Sequence, residues 1–250
     1  MTRDWIDGRF EGLCAVASRV FPATIPGTGA NDEWLVVGPG LMARATRTLH
    51  ALHLLKEGGF ESDAYTLLRS MYEHVTRFAW LAVDPPNHLP LWIKWDREER
   101  LKVDNDLIEA KDSRRLPAAV HAAFQAERDA IPGKLQPLKE LAQQADDHWS
   151  ARLEAHAGRE ARYGLTGLYR VLYRHSSAVA HGTAYGLGGV VENAGPGLLL
   201  VGVERPFMHN PFSFAGVVYA MGMIIYAETF AIGDMLEALD AVFATHRDPR

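Results

Sequence analysis

Apolar residues recur at the three- and four-residue spacing of helices along most of the chain. The spacing predicts a first helix from about Asp4 to Phe21 and a second over about Leu41 to Glu57, ended by the glycines at 58 and 59. A third helix is predicted from about Ser62 to Val83, where Asp84, Pro85 and Pro86 stop it. One face of each helix is therefore expected in a common core.

The same reading continues to the end of the chain. A charged helix is predicted within WIKWDREERLKVDNDLIEAKDS, two shorter ones within Pro117–Ile131 and Pro137–Glu154, a polar one over Leu168 to Gly182, and a long last one from about Pro211 to His246. Between the last two, Val/Leu runs around a Gly/Pro centre predict a small β-hairpin or a Gly-rich excursion over 182–205. The expected fold is an all-α bundle of about seven or eight helices, with residues 1–250 in a single domain.

Composition narrows the functional classes. The net charge of −5 gives no overall positive field, so binding of RNA would need a local basic patch. The single cysteine, Cys14, excludes an internal disulfide framework and a cysteine zinc site, which fits a reducing cytoplasm. No secretion signal is recognised at the N-terminus. The apolar run Phe214 to Leu236 includes Glu228 and Asp234, so it is predicted to be a core helix and not a membrane span.

The polar helix, LYRVLYRHSSAVAHG, carries the most distinctive pair of side chains. Residues advance by about 100° along a helix, so Arg174 and His181, which are seven apart, return to nearly the same direction. The same face receives Arg170 and Ser177, with Tyr173 at its edge, and the polar residue His175 follows Arg174 directly. The apolar side chains point to the opposite face, and these are Leu165, Leu168, Leu172 and Val179.

Arg174, the polar His175 directly after it and His181 resemble the motif of the HEPN superfamily of helical bundles. That motif is an arginine, a polar residue directly after it, and a histidine after four to six intervening residues. Other Arg/His pairs also satisfy the loose pattern, but spacings of five or six residues separate the side chains on a straight helix. Arg114 and His121 have the right spacing, yet Pro117 interrupts them. The resemblance implies a metal-independent ribonuclease of defence or toxin type, a homodimer and a neutralising partner protein.

A second resemblance covers roughly Leu49 to Gly182. The helix with Arg69 and Glu73, followed much later by Tyr173, Ser177 and His181-Gly182, is similar to a bacterial helical family of unknown function.

If the HEPN likeness holds, His181 would take the proton of a ribose 2′-hydroxyl or protonate the leaving group, and Arg174 would stabilise charge on the phosphate. Two turns of helix separate their Cα atoms by roughly 10 Å, so either the arginine leans towards the histidine or the site is shared across a dimer. The alternative is an ordinary helix face whose polar groups contact neighbouring helices or water.

The third helix adds a second charged stripe, in which Arg69, Glu73 and Arg77 recur every four residues. Glu73 either pairs with an arginine of its own helix or reaches Arg174 or His181. The second arrangement would create a pocket whose polar lining is Arg69, Glu73, Arg174, Ser177 and His181.

No metal or cofactor is expected. No Glu-x-x-His pair, P-loop, Rossmann fingerprint or Gly-x-Ser-x-Gly elbow occurs in the sequence. Two hypotheses remain: a HEPN-like ribonuclease that uses Arg174 and His181, and a non-catalytic helical protein that binds a small anionic or polar ligand. The first requires Arg174 and His181 to be exposed together beside a positive surface, whereas the second allows them to lie in a closed network.

Overall fold

A computed structural model of the chain describes residues 3–20, 33–157, 163–181, 191–195, 198–201 and 210–245. The helices are α1 (Arg3–Val20), α2 (Glu33–Gly58), α3 (Glu61–Leu81), α4 (Pro85–Glu109), α5 (Ala118–Ala130), α6 (Leu138–Ala157), α7 (Gly164–Leu168), α8 (Arg174–Ala180), α9 (Pro211–Thr229) and α10 (Gly233–Thr245). A single π-helical turn, Tyr169–Tyr173, joins α7 to α8. The prediction of an all-α fold is confirmed.

Two short strands, β1 (Val191–Gly195) and β2 (Leu198–Val201), pair antiparallel, with an irregularity between Asn193 and Gly195. The predicted hairpin or Gly-rich excursion over 182–205 also covers residues that lie outside the described part of the chain.

By its contacts the chain divides into two compact units, one of Met1–Ala82 with Leu138–Arg250 and one of Val83–Pro137. The smaller unit is the pair α4 and α5, joined through the buried carboxylate of Asp104. This carboxylate accepts hydrogen bonds from the Leu116 backbone N–H at 2.5 Å and from His121 Nδ1 at 2.6 Å. The single domain over 1–250 stays a prediction.

In the larger unit, α3 lies at the centre and packs against α2, α6, α8 and α9. Its predicted apolar face is fully buried, with Ala64, Leu68, Met71, Val75 and Phe78 at 0% exposure. Trp149 of α6 donates its indole N–H to the carbonyl oxygen of Ala79 at 3.0 Å, so this buried donor is satisfied.

The apolar helix α9 is long enough to cross a membrane, but 72% of its most apolar window is buried inside the protein. Asn210 caps its N-terminus by accepting the backbone N–H of Phe212 at 2.8 Å. A helix that is mostly buried in this way packs as a core helix of the bundle.

The prediction of one long last helix from Pro211 to His246 is wrong, because the chain turns between α9 and α10. Ala231 adopts a left-handed conformation with φ of 54°, and the Ile232 N–H donates to the carbonyl oxygen of Ala227 at 2.8 Å. This is the backbone bond that closes a Schellman C-terminus.

Two predicted helix starts were also too late. The second helix begins at Glu33 and not near Leu41, because Trp34 stacks between Phe78 and Phe230 with both centroid distances at 5.9 Å. The fourth begins at Pro85 and not near Trp92, since proline is well accommodated at the first positions of a helix.

Candidate functional site

The helix that carries the predicted Arg/His pair is anchored by a carboxylate from another helix. Asp146 of α6 accepts the backbone N–H groups of Leu165 at 2.7 Å and Thr166 at 2.8 Å, which satisfies the first turn of α7. Gly164 precedes them with φ of 57°. Tyr72 of α3 donates its hydroxyl to the carbonyl oxygen of Leu165 at 2.8 Å, so the start of this segment is fixed to both α6 and α3.

The predicted continuous helix over Leu168 to Gly182 is interrupted by the π turn. The backbone N–H of Arg174 donates to the carbonyl oxygen of Tyr169, five residues earlier. The wide turn holds one extra residue, so Arg170 and Tyr173 do not share a regular wheel with the residues after it. Arg174 and His181 both follow the turn and keep their common face, with His181 as the C-terminal cap of α8.

Glu73 is the hub of a network between α3 and the π turn. Its Oε1 lies 3.3 Å from Arg69 Nε, and its Oε2 lies 3.3 Å from Arg77 Nη1. The Tyr173 hydroxyl also donates to Glu73 Oε1 at 3.2 Å. Glu73 therefore pairs within its own helix, which was one of the two predicted alternatives. It also reaches across, but its partner there is Tyr173, whereas the other alternative named Arg174 or His181.

His181 is bound by an arginine of α3. Arg69 Nη1 lies 3.0 Å from His181 Nε2, and because a guanidinium can only donate, Nε2 accepts and the imidazole proton sits on Nδ1. The arginine in contact with His181 is thus Arg69 and not Arg174. We call Arg69, Glu73, Arg77, Tyr173 and His181 the α3–α8 network.

Aromatic rings support this network. The Arg69 guanidinium lies 5.2 Å from the centre of the Tyr173 ring, and Tyr173 stacks on Tyr169 with a centroid distance of 5.0 Å. Burial, followed by the charge of Glu73, raises the pKa of the Tyr173 hydroxyl. Tyr173 therefore stays protonated at neutral pH and remains a donor to Glu73.

The Arg69 guanidinium also stays protonated and positively charged. Partial burial opposes it, but Tyr173 and Glu73 raise the pKa of the guanidinium above its already high ordinary value. Two guanidinium groups share one carboxylate here, so the network is net positive when His181 is neutral.

The remaining predicted residues lie along the same segment. Arg170 and Arg174 are exposed, and neither has a hydrogen-bond or ion-pair partner within the part of the chain that the structure describes. Ser177 is half-buried, and its carbonyl oxygen accepts the backbone N–H of His181 at 3.0 Å. His175 packs edge-on against Tyr65 of α3, at 4.6 Å between ring centroids, and so supports the packing of α8.

The Asp146 cap and the π turn were missed in the sequence, and the direct contact between Arg69 and His181 was not predicted, although both residues were placed in one pocket. Gly164, just ahead of the apolar run, was a signal for a special start to the helix. No sequence spacing could connect Asp146 or Arg69 to partners that lie so far along the chain.

Within the described ranges, no group of three or more His, Cys, Asp or Glu side chains is arranged to hold a metal ion. Arg69 and Arg174 can bind an anion, and His181 can exchange a proton.

Comparison with known protein families places most of the chain in a family. The model of a family of unknown function, DUF5677, matches residues 35–197, a range that includes the α3–α8 network and confirms the predicted likeness to a helical family of unknown function. No curated protein and no solved structure matches the chain.

Proposed function

Since the chain belongs to the DUF5677 family, whose function is unknown, we propose a function from the geometry of the site. The proposed function is a HEPN-like, metal-independent endoribonuclease of defence or toxin type, acting in the cytoplasm. The observation that carries it is that Arg174 and His181 are both exposed on one face of α8, with Arg69 against the imidazole. Exposed guanidinium groups provide the local basic patch that an acidic protein needs to bind RNA.

The proposed reaction is transfer within the RNA backbone. His181 takes the proton of a ribose 2′-hydroxyl, the 2′-oxygen forms a bond to the neighbouring phosphorus, and the bond from phosphorus to the 5′-oxygen breaks. The 5′-oxygen takes a proton from water, and His181 returns its own proton to solvent. Arg174 stabilises the negative charge on the phosphate oxygens as the new bond forms. The products are a 2′,3′-cyclic phosphate and a 5′-hydroxyl end.

One observation favours a second function, binding of a small anionic ligand without catalysis. Nε2 of His181 already accepts a hydrogen bond from Arg69, and Glu73 is shared by three donors, so the network resembles a closed binding site. An anion held between Arg69 and Arg174 would then be the ligand, and no bond would break.

Cleavage of total RNA and tRNA in EDTA distinguishes the two functions. His181→Ala is expected to lower the cleavage rate by about 10²–10⁴-fold, the usual contribution of a general base. Arg174→Ala is expected to lower it by roughly 10²-fold or more, as for loss of a donor to a developing charge. Matched controls are His148→Ala and Arg100→Ala, which remove exposed residues of α6 and α4.

Equal cleavage by the wild type and the His181→Ala variant would refute the ribonuclease, as would a silent wild type across these RNAs. The HEPN likeness also predicts a homodimer, which light scattering of the purified protein tests directly. The same likeness predicts a neutralising partner protein, and its binding should protect RNA from the wild type.

A further inference from the structure

Arg69 holds the proton-accepting nitrogen of the residue that the proposed reaction uses as its base. A neutral imidazole has one donor nitrogen and one acceptor nitrogen. Because Nε2 of His181 accepts from Arg69 Nη1 at 3.0 Å, the acceptor is occupied and Nδ1 carries the proton. In this state His181 has no free lone pair with which to take a proton from a ribose.

Arg69 can exchange His181 for another acceptor while its other contacts hold the side chain in place. Its Nε is tied to Glu73 at 3.3 Å, and its guanidinium lies over the Tyr173 ring, so the end of the side chain is held from two directions that do not involve His181. The contacts to Glu73 and His181 use two of the five guanidinium N–H donors. The side chain is 25% exposed, so a ligand at the surface can reach it.

A phosphate competes well for such a guanidinium. The bonds of Arg69 to imidazole and to phosphate both use the charged guanidinium, but a phosphate adds an opposite charge and two oxygens that match the planar fork of arginine. Neutral imidazole offers a single lone pair. A phosphodiester placed beside His181 is therefore expected to take over the Nη donors of Arg69, while Nε stays on Glu73.

We propose that Arg69 is a substrate-binding and positioning residue. Its hydrogen bond occupies Nε2 of His181 until a phosphodiester takes over the Nη donors of Arg69 and leaves Nε2 free. Binding of RNA backbone would then create the base that the reaction needs. This inference rests on the proposed function for its purpose, but the displacement itself requires only an anion with phosphodiester chemistry.

The test follows the imidazole nitrogens of His181 by ¹⁵N NMR at pH 8, above the ordinary histidine pKa of about 6.5. The resonance is assigned by its loss in His181→Gln. The probe is a short DNA oligomer, which has the phosphodiester but lacks the 2′-hydroxyl and cannot react. In the free wild type, Nε2 should be unprotonated and Nδ1 protonated. At saturation with the oligomer, both nitrogens should move towards the average of the two tautomers.

Two variants sharpen the test. Arg69→Ala should show the shifted resonance without any oligomer, and the oligomer should move it no further. Arg47→Ala removes an exposed arginine of α2 that lies outside the α3–α8 network, and it should leave the His181 resonance of the free protein as in the wild type. The wild-type titration does not use Arg69→Ala, so it still tests the inference if that variant fails to fold.

An identical His181 resonance in free wild type and folded Arg69→Ala would overturn the proposal. So would an oligomer that binds without moving it, or one that does not bind at millimolar concentration. RNA cleavage with an unmoved His181 would overturn only the role of Arg69. If the oligomer moves the His181 resonance but the protein does not cleave RNA, only the ribonuclease would be overturned.

Discussion

Replacing Gly164 by alanine would test how the helix that carries His181 is anchored. Gly164 has φ of 57°, a conformation that residues with a side chain rarely adopt. A Cβ at this position would lie 2.6 Å from Asp146 Oδ2, the carboxylate that accepts the N–H groups of Leu165 and Thr166. Alanine would therefore strain the backbone and also push the capping carboxylate away.

Both costs can be given a size. A left-handed conformation costs a residue other than glycine about 1–2 kcal/mol, and loss of a helix cap costs about 1 kcal/mol more. The smaller backbone entropy of unfolded alanine offsets roughly 0.4–1 kcal/mol. Gly164→Ala is expected to lower the free energy of unfolding by about 2 kcal/mol, which lowers the Tm by roughly 4–8 °C for a chain of this size.

Thermal unfolding followed by circular dichroism measures the effect. Gly40→Ala in α2 is the matched control, because a Cβ there meets nothing within 4 Å and the residue lies inside a helix. That substitution should stabilise the protein by roughly 0.5–1 kcal/mol. A Gly164→Ala protein that melts at or above the wild-type temperature would refute the proposed anchor.

Three other predictions concern the rest of the fold. Ala231 has φ of 54°, so Ala231→Gly should raise the free energy of unfolding by about 0.5–1 kcal/mol, and a lower Tm would contradict this. Burial raises the pKa of the Cys14 thiol to about 11, so iodoacetamide should label it only after unfolding, and rapid native labelling would show that the site is open. Burial also raises the pKa of Tyr72 and of Tyr219 above their unfolded value near 10. The stability that this gives is intact below pH ~10 and is lost as pH rises further, so absorbance at 295 nm should change together with unfolding and not before it.

Much of the fold could be predicted because its signals are local. The spacing of apolar residues predicted the bounds of α3 closely. The charges of Glu228 and Asp234 led to the prediction that the most apolar run lies in the core, where its helix is mostly buried. Helix ends were less predictable where a distant contact decides them. Trp34 extends α2 by packing on Phe78 and Phe230, and neither partner is near it in sequence.

Several residues named from the sequence lie together in the structure, but their contacts differ from the predicted pairs. Arg69, Glu73, Tyr173 and His181 do form one network, but the helical wheel paired His181 with Arg174. A wheel describes one helix, whereas Arg69 reaches His181 from another. The π turn is also invisible to a period of 3.6 residues, because it holds one extra residue in the turn.

The central claim, that the exposed face of α8 cleaves RNA with His181 as the base, is tested most directly by the chemistry of the RNA ends. A single tRNA would be incubated in EDTA with the wild type or with folded His181→Ala, and the fragments would be weighed by mass spectrometry. Fragments that end in a 2′,3′-cyclic phosphate, formed by the wild type alone, are the predicted result. No fragments, the same fragments from both proteins, or ends without the cyclic phosphate would contradict the claim.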